Sequence, residues 1–308
     1  MNEYMNRRFF ICALHLFVVV IVFVGCSHSK PSPMSDLRDE LNRLVADYDA
    51  TVGIGIITAQ GDTMTVNNNI RYPMMSVFKF HQAVAVANYM SDRGISLDTT
   101  VLVLPDELKL DTWSPLRDKY PQGNVALTVS QLFAYTLQLS DNLACDILFD
   151  RFLAPKQVQD FVRGSGIDDI SILYNEAEMF ADNDLGYENW TTPYAAAMFL
   201  DKFIDGKLIS QPCFSFVKDL MIGCTTGTNR LVKPFQNTDY KVGHKTGSGY
   251  VNDEGRIAST NDIGFVLSPE GEKAYVIAVF VKDSALPQAE TEEIIAKVSA
   301  IVKKHLLV

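Results

Sequence analysis

Ser76 stands three residues before Lys79 in the run Pro73-Met74-Met75-Ser76-Val77-Phe78-Lys79, which opens a stretch of helical apolar periodicity. On a helix that spacing puts hydroxyl and ammonium on one face, so a desolvated amine can take the serine proton and make a nucleophile. Alone the pair says little. Ser-x-x-Lys is expected about once by chance in a chain of this length and ordinary composition, and a solvated lysine at a helix start would give the same letters. Two triplets follow in order. Ser140-Asp141-Asn142 closes the apolar segment 132–139, and Lys245-Thr246-Gly247 runs on into Ser248 and Gly249 inside a strand-like stretch. Each triplet is expected roughly 0.1 times or less per chain, so the ordered set is no accident and points to covalent catalysis at a serine.

The elements that must position these groups follow from periodicity. Leu37, Leu41, Leu44, Val45 and Tyr48 form a helical stripe, and strands over 52–58 and 64–66 flank a turn at Gly61 and Asp62. From Ser76 to about Met221 the pattern is mostly helical. Strands return over 240–250, 256–267 and 274–281, and a last helix carries Ile294, Ile295, Val298, Ile301, Val302 and His305. Strands at both ends around a helical insertion imply a two-lobed α/β fold. Its five-stranded antiparallel sheet is built from both termini and flanked by helices, beside an all-helical lobe at about 75–222. The α/β lobe takes 37–74 and 223–308, and a cleft between the lobes is the natural place for a site.

Composition narrows the function classes. The chain has 308 residues, 47% hydrophobic and 21% charged, with 27 Lys and Arg against 37 Asp and Glu. That balance suits a globular domain and denies nucleic acid its cluster of basic residues. Arg7 and Arg8 precede an apolar run over 9–24, broken only by His15 and closed by Gly25 and Cys26. The run fits an export signal over 1–26 better than a spanning helix, and 27–36 reads as a polar tether. Of the five cysteines, Cys12 lies in the leader; Cys213 and Cys224 could bridge, but no obligatory disulfide is expected. No CxxC or His-rich spacing announces a metal, and His81 with His244 does not make a ligand set. Gly53-Ile54-Gly55 lacks the third glycine of a dinucleotide loop and reads as part of a strand.

The ordered motifs resemble the penicillin-recognising serine enzymes, and within them the class A β-lactamases, from about residue 35 onward. Trp113-Ser114-Pro115 in a cleft-wall loop and Thr191-Thr192-Pro193 opening a helix add to the resemblance. It implies hydrolysis of β-lactam antibiotics through a serine acyl-enzyme, conferring resistance, with no cofactor and no metal. Ser76 would be the nucleophile, Lys79 its partner, and Ser140 the proton donor to the leaving nitrogen. Lys245, Thr246 and Ser248 would hold the substrate carboxylate, Asn142 its acylamino group, and Trp113 would shape the pocket. The family's deacylating carboxylate falls in 174–180, where the register favours Glu176 over Glu178.

Four departures mark a divergent branch. Phe180 stands where an Asn is usual, and Tyr174 where an Arg commonly pairs with an Asp across the omega loop. Asp146 replaces a frequent Asn and, if buried, needs donors, for which omega-loop amides are candidates. The Arg common on the strand after Lys245-Thr246-Gly247 is missing, with Arg256 out of register. Ser248 beside Gly249 leans the resemblance toward cephalosporins. Val24-Gly25-Cys26 resembles a lipobox, implying a periplasmic lipoprotein anchored to the membrane at Cys26; a monomer is expected. A DD-peptidase or other penicillin-binding enzyme, and a non-enzymatic surface lipoprotein of the same fold, are the competing readings.

Overall fold

The computed structural model describes residues 33–307. The expected leader, Cys26 and the tether up to residue 32 lie outside the described residues. The helices that position the site are α1 (Pro33–Ala46), α2 (Phe78–Asp92), α3 (Val129–Gln138), α4 (Asn142–Arg151), α5 (Glu176–Ala181), α6 (Pro193–Ile204), α7 (Cys213–Ile222) and α8 (Gln288–Leu306). Helix α1 begins inside the stretch read as tether to residue 36, because proline is at home in a first turn, where its missing N–H leaves no bond unmade.

The sheet strands are β1 (Thr51–Thr58), β2 (Thr63–Val66), β3 (Lys241–Ser248), β4 (Ile257–Leu267) and β5 (Lys273–Ser284). They lie in the order β2-β1-β5-β4-β3, every pair antiparallel. The first strand therefore pairs with the last, Val52 opposite Val281 and Ile56 opposite Ile277. The tight turn before β2 uses Gly61 at φ +87°, a conformation that suits a residue without Cβ.

Strand β5 shows why the central sheet reads as a nearly unbroken apolar run. Tyr275, Ile277, Val279 and Val281 pack with Leu37 and Leu41 of α1 and Ile294, Val298 and Val302 of α8. The alternate residues Val276, Ala278 and Phe280 belong to the opposite cluster with Phe80 of α2 and Phe199 and Phe203 of α6. Both faces are covered, so period two sorts the residues between two cores rather than between core and water.

Helix α2 is buried on all sides from Phe78 to Ala87 and is exposed to water only in its last turn, at Ser91 and Asp92. It carries Lys79 into the interior. Capping fixes the helices that follow: Thr128 accepts from Gln131 N at 3.2 Å, Asp141 from Ala144 N at 2.9 Å and Thr192 from Ala195 N at 3.4 Å. The helical lobe also holds two short ribbons that periodicity does not announce, Tyr72–Pro73 with Trp190–Thr191 and Thr100–Val103 with Val125–Thr128. Strands of two and four residues are too short to carry a readable period.

Candidate active site

Ser76 sits in a single 3-10 turn, Met75–Val77, that feeds directly into α2. Met75 has φ +44°, a strained conformation held in place from outside. Asn261 on β4 donates to Pro73 O at 2.8 Å and Met74 O at 3.1 Å, and Ser259 Oγ donates to Pro73 O at 2.9 Å. Strand β3 presses on the same turn, and a Cβ at Gly247 would lie 2.5 Å from Met74 O. The glycine of the third motif is thus demanded by the approach of the strand to the serine turn.

Lys79 has no solvent contact. Its Nζ donates to Ser76 Oγ at 3.1 Å, Ser140 O at 2.8 Å and Asn142 Oδ1 at 2.6 Å, and lies 2.9 Å from Glu176 Oε1. Ser140, at φ +56°, turns its carbonyl to Lys79 while its Oγ accepts from Lys245 Nζ at 2.8 Å. Asp141 faces away and ties α4 to the cleft wall, taking Ser114 Oγ at 2.9 Å and Leu116 N at 2.6 Å. Asn142 Nδ2 reaches Thr112 Oγ1 at 2.6 Å. Beside it Trp113 is exposed, its indole N–H held by Leu139 O at 2.9 Å.

The two omega-loop carboxylates part company. Glu176 Oε1 stands 3.5 Å from Ser76 Oγ, whereas Glu178 closes a capping box with Asn175, accepting from Asn175 N at 2.9 Å. Asp146 meets the two free amides at the start of α5, those of Glu176 and Ala177, each at 2.9 Å. These are the omega-loop donors its burial requires. Burial and the adjacent Glu176 carboxylate push its pKa up to about 7 against the pull of those amides. At the base of the loop a residue that sequence reasoning missed, Asn189, accepts from Leu173 N at 2.8 Å and Tyr174 N at 3.1 Å and donates to Tyr174 O at 2.8 Å. A neutral amide clamped on backbone does the work of the ion pair that Tyr174 forbids. Phe180 is exposed and lines the cleft with Ser76 and Tyr250.

The far wall is cationic. Lys245 is buried, which, with Lys79 close by, lowers its pKa to about 7. Thr246 Oγ1 lies 2.6 Å from Thr226 Oγ1. Arg230, also missed, donates through Nη2 to Ser248 Oγ at 2.7 Å and Glu292 Oε1 at 2.8 Å, and through Nη1 to Gly247 O at 3.1 Å and Asn261 O at 2.9 Å. It supplies from a loop the guanidinium that the strand lacks; nothing in its local sequence signals this. Arg256 is engaged elsewhere, with Asp49 at 2.9 Å. His81 is a core side chain stacked on Phe199, its pKa lowered to about 4 by burial. Ser76, Trp113, Ser140, Asn142, Thr226, Thr246 and Ser248 all line one cavity.

A nucleophilic serine between an ammonium and a carboxylate, opposite a cationic wall, suits acyl transfer from an anionic amide. Comparisons with known proteins agree. The β-lactamase enzyme family matches residues 36–306. A β-lactamase of Phocaeicola vulgatus is 36% identical over 302 residues, covering 95% of this chain and 92% of its own. The extended-spectrum β-lactamase PER-1 of Pseudomonas aeruginosa is 33% identical over 283 residues, covering 92% and 90%. The crystal structure of a class A β-lactamase from Bacteroides cellulosilyticus superposes with a TM-score of 0.85 at 35% identity, over 90% of this chain and 99% of that one. The chain belongs to the β-lactamase enzyme family and is a class A serine β-lactamase, an enzyme that hydrolyses β-lactam antibiotics and so confers resistance to them.

Proposed function

We propose that hydrolysis runs through an acyl-enzyme on Ser76, with Glu176 as the base that releases it. The serine proton leaves through either neighbour of Oγ, the Lys79 amine at 3.1 Å or the Glu176 carboxylate at 3.5 Å, as Oγ attacks the lactam carbonyl. The backbone amides of Ser76 and Ser248 would receive the oxyanion. Ser140 gives its proton to the departing ring nitrogen and is resupplied by Lys245, whose pKa of about 7 suits transfer near neutrality. Lys245, Thr246, Ser248, Thr226 and Arg230 hold the substrate carboxylate, Asn142 the acylamino group, and Trp113 walls the pocket. Once the acylation proton has been relayed past Lys79 toward the leaving nitrogen, Glu176 is a carboxylate; it takes a proton from water as that water attacks the acyl carbonyl, and Ser76 Oγ leaves with that proton as the acyl bond breaks.

The observation that carries this reading is the Glu176 carboxylate, 2.9 Å from Lys79 and 3.5 Å from Ser76 Oγ. Glu176→Gln keeps the size and removes the basicity, so deacylation should slow by roughly 10² to 10⁴, far more than acylation. Rapid-quench kinetics should show a burst and a trapped acyl-enzyme at the mass of protein plus penicillin. Glu178→Gln should turn over normally and lose only part of a helix cap. The reverse outcome would reassign the base to Glu178.

For location we propose a periplasmic lipoprotein held to the membrane through Cys26, supported by the leader over 1–26 and the ending Val24-Gly25-Cys26. Expressed with its own leader, the enzyme should fractionate with membranes, and Cys26→Ala should release it. Native enzyme found wholly in the soluble periplasmic fraction would overturn the anchor.

A further inference from the structure

The cleft wall contains a second set of reactive side chains that hydrolysis leaves unused. Cys224 follows α7 on the loop leading to Thr226 and Arg230. All three described cysteines are free thiols, but Cys145 and Cys213 are buried, whereas Cys224 is partly exposed. Its sulfur lies 3.4 Å from Thr226 Oγ1 and 3.9 Å from Thr226 O. His244, the residue before Lys245 on β3, shares a strand face with Thr246, whose Oγ1 meets the Thr226 hydroxyl that Cys224 Sγ touches, and its charge acts on the thiol. His244 is enclosed, with Nδ1 at 2.9 and 3.0 Å from the two oxygens of Asp262, itself buried and steadied by Leu231 N at 3.2 Å. That pairing leaves Nε2 buried without a hydrogen-bond partner among the described residues. An imidazole fixed on a carboxylate through one nitrogen accepts a proton at the other.

We propose that Cys224, His244 and Asp262 form a second nucleophilic centre, a modification site that captures small disulfides and thereby disturbs the substrate-carboxylate pocket. The Cys224 proton resides on His244 Nε2, and Asp262 stabilises the imidazolium. The thiolate attacks one sulfur of a disulfide RSSR; the Cys224–S bond forms as the RS–SR bond breaks, and the departing RS⁻ takes a proton from water. Electrostatics favour this cysteine alone. Burial opposes its charge, yet His244 and Lys245 bring the thiol pKa down to about 7, whereas burial pushes the Cys145 and Cys213 thiols up. Burial likewise opposes charge on His244, and Asp262 with Cys224 outweighs it, raising the imidazole to about 10.

The link to the cleft is short: Cys224 Sγ touches Thr226 Oγ1, and that hydroxyl lies 2.6 Å from Thr246 Oγ1. A group added to sulfur must displace Thr226, and it removes a negative charge beside Lys245. This consequence rests on the carboxylate-binding reading given above; the capture step does not.

The test treats the folded full chain at pH 7 with methyl methanethiosulfonate, and separately with oxidised glutathione, followed by peptide mapping and penicillin kinetics. Cys224 should label at least about tenfold faster than Cys145 and Cys213, following its thiolate fraction. KM for penicillin should then rise about tenfold, with kcat less affected, and return on reduction with dithiothreitol. Cys224→Ser should give no response to the reagents. His244→Asn, checked for folding by circular dichroism, should slow labelling of Cys224 while the other two cysteines stay unreactive. Equal labelling of all three cysteines, or labelling of Cys224 only after denaturation, would overturn the centre. Labelling with KM unchanged would overturn its coupling to the cleft, whereas the Glu176→Gln acyl trap tests the catalytic assignment independently.

Discussion

An ammonium sealed from water must have its charge answered at close range, and Lys79 meets that demand with three oxygen acceptors and a carboxylate. This explains why the site could be read from letters. Ser76, Lys79, Ser140, Asn142 and Lys245 are brought into one hydrogen-bonded cluster, and each sits in a short motif whose spacing follows the local helix or strand. The residues that escaped notice act differently. Arg230, Thr226 and Asn189 enter from loops and reach backbone or hydroxyl groups distant in sequence, so their neighbours in the chain carry no pattern. Asp146 lies between these cases, since a carboxylate in an apolar helix announces a need for donors without naming them. Glu176 and Glu178 differ by two positions, and only the Asn175 cap, which claims Glu178, separates their fates.

At the scale of elements, the helical stripes, the first hairpin and the sheet strands were legible because each buries a long periodic face. The omega loop was not, since it is held by side chains on backbone together with Met179 in the core, and one buried residue sets no readable period. Asp146 carries part of that hold, and its pKa of about 7 against an ordinary 3.8 makes a signed prediction. Between about pH 4 and pH 7 the folded enzyme binds this proton more tightly than the unfolded chain, so its contribution to stability is fully present at about pH 4 and is lost as pH rises through 7. Asp146→Asn removes the titration and turns an NH₂ donor toward one of two backbone donors. Thermal unfolding followed from pH 4 to pH 7 should show a flatter profile for the variant, offset downward by about 1–3 kcal/mol for the unsatisfied amide. Parallel profiles would show that Asp146 is ionised throughout. Deacylation should slow as well, because the same two amides orient the first turn of α5 that bears Glu176.

Across the described residues, the first and last strands pair in one sheet, and the cleft depends on a helix behind it. Helix α8 packs its apolar stripe on the sheet face opposite α2 and α6. Its Glu292 reaches past the sheet edge to Arg230, and Arg230 in turn holds Ser248 Oγ and the Gly247 carbonyl on β3. The C-terminal helix is therefore tied to the cleft wall through one ion pair, although no residue of α8 lines the cleft around Ser76. Glu292 is only 17% exposed and Arg230 4%, so the pair is poorly screened and losing one charge is felt by the other. Glu292→Gln keeps the shape and a hydrogen-bond acceptor but leaves Arg230 without its counter-charge. The guanidinium then loses its fixed position, and its hold on Ser248 loosens. Positioning costs of about 1 kcal/mol correspond to a KM raised roughly fivefold for penicillin, with kcat within about twofold of the parent and the melting temperature little changed. Measuring both constants beside the thermal midpoint separates this from general destabilisation. A fall in kcat at constant KM would place the influence of α8 on the reacting groups instead of on substrate binding.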